Sequence, residues 1–236
     1  MKKLQVFISV FTLLMIAIFS TAPVHAETST ITVHSSRDMI IAPEMTFGMD
    51  ILVSEATDLI GFQTMLVYDD TMFTFDNIVG STALGGAVTI NSTTSGELLI
   101  NYVDINTKLN GEVVLFTLYF TANQGITSGD YGVISESVSY YHEFITLDSE
   151  NNLAVIDDVL FDFPGVRVGQ YGDVDFNEMV TISDVALIQL HMEGLITLSE
   201  TKQALADINH DDVLDLTDAA QIQLYIAGLI TTLEPQ

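Results

Sequence analysis

The feature that most constrains this chain is a stretch near its C-terminus that occurs twice: DVDFNEMVTISDVALIQLHMEGLIT from Asp173 and DINHDDVLDLTDAAQIQLYIAGLIT from Asp207. In each copy, oxygen-bearing side chains fall at relative positions 1, 3, 5, 9 and 12. They are Asp173, Asp175, Asn177, Thr181 and Asp184 in the first and Asp207, Asn209, Asp211, Asp215 and Asp218 in the second. Alternate residues of a tight loop can turn their oxygens toward one point, and a hard cation such as Ca²⁺ takes six to eight of them. Met179 and Val213, at position 7, are expected to lend backbone carbonyls. One such run can arise by chance in an acidic chain. Two in register, both followed by IQLxxxGLIT, predict two Ca²⁺ sites.

The spacing is that of an EF-hand-type loop, with two departures. Position 6, where glycine ordinarily makes the sharp turn, is Glu178 in the first loop and Asp212 in the second. Asp tolerates the left-handed region better than Glu, so the first site is expected to be the weaker. Position 12 is Asp, a shorter arm than Glu but one with two oxygens. Asp184 and Asp218 also stand at helix N-termini, ahead of VALIQL and AAQIQL. Between the loops, Thr197 and Ser199 offer N-caps for a helix over 200–206 that turns Leu205 inward. Thr197 to Glu200 also fits a capping box.

Residues 1–26 read as a signal peptide. Lys2 and Lys3 precede an apolar run from Leu4 to Phe19, and Val24-His25-Ala26 suits cleavage, predicting a secreted, extracellular product. A retained single anchor is the alternative reading. Without the leader, Arg37, Lys108, Arg167 and Lys202 face 32 acids, a net charge of −28. Such a surface excludes nucleic acid and anionic membranes as partners. Hydrophobic content of 48% excludes a disordered acidic tail. There is no Cys, so an exported unit of about 65 residues (170–236) needs metal to supplement its small core.

From about Thr28 to Val168 the pattern has period two. Phe47, Met49, Ile51 and Val53 alternate with Gly48, Asp50, Leu52 and Ser54, and Val114 to Thr121 behave alike. Turn signals stand at Tyr68-Asp69-Asp70, Gly85-Gly86, Asn91 to Gly96, Asn110-Gly111 and Ser128-Gly129-Asp130. The expectation is an all-β sandwich of about nine strands, followed by a small α-helical domain with the two calcium loops.

These segments resemble known families. IGFQTMLVYDDTMFTFDNI (60–78), ELLINYVD (97–104), GEVVLFTLYFTA (111–122) and YGVISESVSY (131–140) are similar to strands of cohesin modules, which are β-sandwiches of jelly-roll type. The duplicated loop-helix pattern resembles a type I dockerin far more specifically. The implied order is signal peptide (1–26), cohesin-like sandwich (28–168) and dockerin (170–236), as in the scaffold and adaptor proteins of cellulosomes. Pro164 to Gln170, between the last two, is too short for a flexible linker.

The resemblance implies two partners. A dockerin recognises a cohesin through loop positions 10 and 11 and the following helix, here Ile182-Ser183 and Leu216-Thr217. A cohesin grips a dockerin with one sheet face. The two strands 61–68 and 98–103 are apolar on both sides, so one side must be covered by something other than the core. Gln63, Met65, Leu99 and Asn101 are the candidates for that face, unless a loop of the same domain covers it.

Catalysis finds no support in the pattern. His34, His142, His191 and His210 show no metal-ligand spacing, and there is no Cys nucleophile, GxSxG or phosphate loop. The alternative reading is a dockerin-borne carbohydrate-binding sandwich acting on polysaccharide. Against it, the chain has no Trp, and its aromatic cluster is Tyr140, Tyr141, His142 and Phe144. That cluster reads better as a strand with one ring inward and another outward.

Overall fold

The computed structural model describes residues 30–35, 39–127, 129–148 and 150–233. The signal-peptide reading, Arg37 and Ser128 lie outside them.

Thirteen strands come first: β1 (Thr30–Ser35), β2 (Met39–Ile41), β3 (Thr46–Tyr68), β4 (Phe73–Gly80), β5 (Thr89–Asn91), β6 (Glu97–Val103), β7 (Leu109–Ala122), β8 (Tyr131–Gly132), β9 (Ile134–Glu136), β10 (Glu143–Leu147), β11 (Leu153–Val155), β12 (Asp158–Asp162) and β13 (Val166–Val168). Three helices follow: α1 (Ile182–Met192), α2 (Glu200–Ala206) and α3 (Leu216–Ile226).

The organising element is β3, which is 23 residues long. Its first half pairs with β7 on one side and β1 on the other; its second half pairs with β6 on one side and with β10 and β9 on the other. Between the halves the register slips twice, around Ala56, and Glu55 and Asp58 adopt positive φ (61° and 47°). These bulges bend the strand, so its two halves serve two opposing layers. Phe62 from the second half meets Phe116 of β7 across the core, with ring centroids 5.8 Å apart. Phe47, Phe73, Phe120, Tyr102 and Phe144 are buried in the same cluster. Each such side chain contributes about 1.5–3 kcal/mol on burial.

The Asn110-Gly111 turn signal falls inside β7. Gly111 has φ 76° and faces Ala56 across the bulge, so the signal marks a kink shared by two paired strands instead of a chain reversal. Among the described residues, two long strands, β3 and β7, and several of two or three residues bring the total to thirteen where about nine short ones were expected. Residues 131–140, read as one strand, form β8 and β9 in different sheets.

β13 lies in a separate three-stranded sheet, parallel to β2 and antiparallel to β8. The chain then enters the helical part. α1 and α3 begin with matching capping boxes: Thr181 with Asp184, and Asp215 with Asp218. Gly194 and Gly228 end them with φ near 70°, the left-handed stop that glycine adopts without penalty. α2 is capped by Ser199, whose side chain accepts from the Lys202 amide. Thr197 is not the cap, because the helix starts two residues later than a Thr197 box requires. Leu205 is fully buried as expected. Val185, Ile188, Ala219 and Ile222 pack around it with Tyr171, Val174, Leu198, Ile208 and Leu233.

Candidate calcium loops and partner faces

Both loops are built on one hydrogen-bond plan. Asp184, fully buried, accepts from the amides of Val174 (2.8 Å) and Asp175 (3.1 Å) through Oδ1 and of Thr181 (2.8 Å) through Oδ2. Asp218, also fully buried, repeats this with Ile208 (2.9 Å), Asn209 (3.3 Å) and Asp215 (2.9 Å). Position 12 therefore ties the start of each loop to the helix that ends it.

Position 1 closes the other side. Asp173 accepts from the amides of Asn177 (3.0 Å) and Glu178 (2.8 Å), and Asp207 from that of Asp212 (3.0 Å). Glu178 and Asp212 take positive φ (68° and 61°), so position 6 holds the turn despite lacking glycine. Phe176 and His210, at position 4, are left-handed as well (67° and 55°). Their residue types gave no sign of this.

The first loop brings the carboxylates of Asp173, Asp175 and Asp184 within 4.8 Å of one another. Burial, with Asp184 and Asp175 close by, pushes the Asp173 carboxyl above its ordinary range. Three acids this close repel unless a cation lies between them. In the second loop Asn209 stands at position 3, and Oδ1 of Asp207 is buried with no hydrogen-bond partner. A buried, unsatisfied carboxylate oxygen in an acidic loop fits a metal ligand.

The remaining ligand candidates are placed less directly. Asn177 Oδ1 accepts from the Met179 amide (2.9 Å), and Asp211 Oδ1 from the Val213 amide (2.9 Å). The Met179 and Val213 side chains are exposed, which leaves their backbones in the loop. Thr181 and Asp215 are helix caps, accepting from Ser183 (3.2 Å) and Thr217 (2.6 Å). The Thr217 amide holds the Asp215 carboxyl below its usual range.

On the helices, Ile182, Ser183, Leu216 and Thr217 are all exposed. The duplication extends to the apolar surface. Ile182 and Leu216 are each 63% exposed and Leu195 and Leu229 each 71%, while Leu190, Met192, Leu224 and Ile226 are exposed between them. Two equivalent apolar strips thus stand outside the core.

The sandwich face is narrower than expected. Gln63 faces Asn101 and Met65 faces Leu99 across β3 and β6, so the four do share one face. However, Leu99 and Asn101 are buried; β5 flanks them, with Asn91 opposite Leu99 and Thr89 opposite Asn101. The segment 137–142 closes in from the other side: Gln63 Nε2 donates to the Tyr140 hydroxyl, and the Ser137 amide donates to the Met65 carbonyl. His142 anchors that segment through Thr64 Oγ1 (2.8 Å) and the Ser137 carbonyl (3.0 Å), and burial lowers its pKa. Tyr141 points outward and Phe144 inward. Oδ1 of Asn101 is buried without a partner.

Residues 171–227 match the Dockerin type I domain family. No curated protein matches the chain. Among solved structures, it is similar to the seventh ScaB type I cohesin from Pseudobacteroides cellulosolvens, at 13% identity and a TM-score of 0.52, over 59% of this chain and 92% of that one. It is likewise similar to a chain of the complex of the third cohesin ScaC with the ScaB dockerin from Acetivibrio cellulolyticus, at 13% identity and a TM-score of 0.51, over 59% of this chain and 99% of that one. Only the β-rich part is long enough to supply such a share. The chain therefore carries a sandwich with the fold of a cohesin, followed by a segment that matches the type I dockerin family.

Proposed function

We propose that this chain is a secreted, non-catalytic adaptor with two units, residues 28–168 and 170–236. The observation that carries the reading is the succession in one chain of a cohesin fold and a type I dockerin match. The dockerin-like unit, loaded with Ca²⁺ in both loops, docks on a cohesin of a scaffold protein. The sandwich receives a dockerin-bearing protein, extending a cellulosome-like assembly by one link.

Each unit's own residues support its role. In the helical unit, the carboxylates of both loops hold the metal, which supplies the counter-charge that lets them converge. The ligands at position 12 also carry the loop amides, so metal and helix orientation are set together. The strips around Ile182 and Leu216 are largely apolar, with Gln189 and Gln223 exposed beside them and Glu193 exposed in the first alone. They suit a partner face that is largely apolar. In the sandwich, Gln63 and Met65 offer a polar and an apolar contact beside the Tyr140–Tyr141 segment.

The full chain, immobilised with calcium, serves as bait for proteins secreted by its source. An Ile182→Asp/Leu216→Asp variant should lose cohesin-bearing scaffolds and retain dockerin-bearing proteins; Met65→Asp should do the reverse. Retention of both classes by both variants would refute the assignment of the faces.

A further inference from the structure

The joint between the two parts is built as an interior. The Gly169 amide donates to the Ile41 carbonyl (2.8 Å), and the Gly172 amide to the Leu205 carbonyl (2.8 Å). A Cβ on Gly169 would lie 2.5 Å from Leu205 Cδ1 and 3.0 Å from Ile40 Cγ2, so glycine lets these side chains close over the joint without shifting. Ala42, from the turn after β2, is buried in the core of the helical part, and Ile40 and Met45 pack against it. Tyr171 is buried too, with its ring edge-on to His210 of the second loop, centroids 5.0 Å apart.

One polar contact crosses the joint at the metal loop itself. Arg167, in the middle of β13, pairs with Glu178 at 2.5 Å. Glu178 is the position-6 residue held at φ 68°, and its amide donates to Asp173. A cleft lined by Ile40, Arg167, Gln170, Asp173, Phe176 and Glu178 lies alongside. In the second loop, Asp212 occupies the equivalent place and has no ion pair among the described residues. The two loops differ here, although their internal bonding is the same.

We infer that calcium occupancy of the first loop and the docking of the helical unit on the sandwich form one coupled equilibrium. Arg167 and the seam of Ile40, Gly169 and Leu205 transmit it. The inference rests on the metal reading of that loop proposed above. An ion pair from the sandwich holds Glu178 in the strained turn that the loop needs. Filling the loop therefore favours the docked arrangement, and docking favours the filled loop, by the same factor. The second loop has no ion pair to the sandwich among the described residues, so it is the less coupled of the two. With metal bound, the partner faces of the two units are held at a fixed angle.

The test uses the full chain, with calcium alone as ligand. Calorimetry reads the first loop in an Asp207→Ala background and the second in an Asp173→Ala background. Arg167→Gln and Ile40→Ala should each raise the first-loop Kd by about threefold or more, a coupling just under the usual range, and Arg167→Gln should leave the second loop unchanged. The sign is informative, because removing a cation from beside a Ca²⁺ site would by itself tighten binding. Hydrogen exchange at 39–42 and 166–168 should slow on calcium addition in the parent and much less in either variant. Unchanged or tighter first-loop binding in both variants, with calcium-independent exchange at these strands, overturns the coupling alone. Absence of calcium uptake by the parent's first loop overturns the metal reading, and the coupling with it.

Discussion

Replacing Asp184 with Ala separates what this carboxylate does for the fold from what it does for the metal. Its side chain is fully buried and accepts three backbone amides, from Val174, Asp175 and Thr181. Removing it leaves one buried and two part-buried N–H groups without that acceptor, the buried one costing about 1–3 kcal/mol and the others less. Some relaxation and water entry leave a net loss of about 4 kcal/mol. A core of this size supplies roughly 3–5 kcal/mol in all. In EDTA the helical unit of Asp184→Ala should therefore be unfolded, and calcium should not restore it fully, since a proposed ligand is gone too. Asp184→Asn keeps Oδ1 for Val174 and Asp175 but offers Thr181 a donor instead of an acceptor. Its loss should be about 1–2 kcal/mol before metal is added. Helical circular dichroism during guanidinium titration of the full chain reads this, because the helices described all lie in that unit. An Asp184→Ala midpoint within about 1 kcal/mol of the parent in EDTA would show that this carboxylate does not tie the loop to its helix.

Without calcium, Asp173→Ala should destabilise the unit more than Asp207→Ala, because Asp173 accepts two amides and Asp207 one; with calcium the gap should narrow, and thermal melts in EDTA and in calcium decide it. Ile182→Asp or Leu216→Asp alone should weaken cohesin binding little, whereas the double variant should lose far more than the sum. Such non-additivity marks two redundant strips, and calorimetry with a cognate cohesin measures it. The His142 pKa is lowered from 6.5 by burial, so the unfolded chain takes up the proton more readily. Sandwich stability should then be full above pH 6.5 and fall as pH drops through it; Glu143, whose pKa burial raises, returns part of the loss nearer pH 4.5. His142→Gln should flatten the first limb in denaturant titrations across this range.

The helical part was legible because its constraints are local. Twelve-residue spacing, helix caps and the IQLxxxGLIT ending all act within one loop-helix unit, so the text of the sequence carried both loops and α2. Thr197 and Ser199 stand two positions apart and both suit a cap; the helix starts at Glu200, so Ser199 is the one used. In the sandwich, alternation marked β3 and β7 as strands but said nothing about their bends. Glu55 and Asp58 take left-handed conformations in a run that reads as continuous strand, and Gly111 looks like a turn. That a loop of the same domain could cover Leu99 and Asn101 was an open alternative; that β5 and the 137–142 segment flank them was not legible, since both arrive from elsewhere in the chain. The contact of Arg167 with Glu178 joins a strand of one sheet to a loop of another unit, and no spacing rule relates them.

The central claim is that one calcium-loaded chain joins two proteins at once. Native mass spectrometry tests it on the full chain, offered a cohesin bound by its helical unit and a dockerin-bearing protein bound by its sandwich. With calcium, the account predicts a 1:1:1 ternary complex that loses the cohesin on chelation. Two binary complexes that exclude each other, or cohesin binding that persists in EDTA, would contradict it.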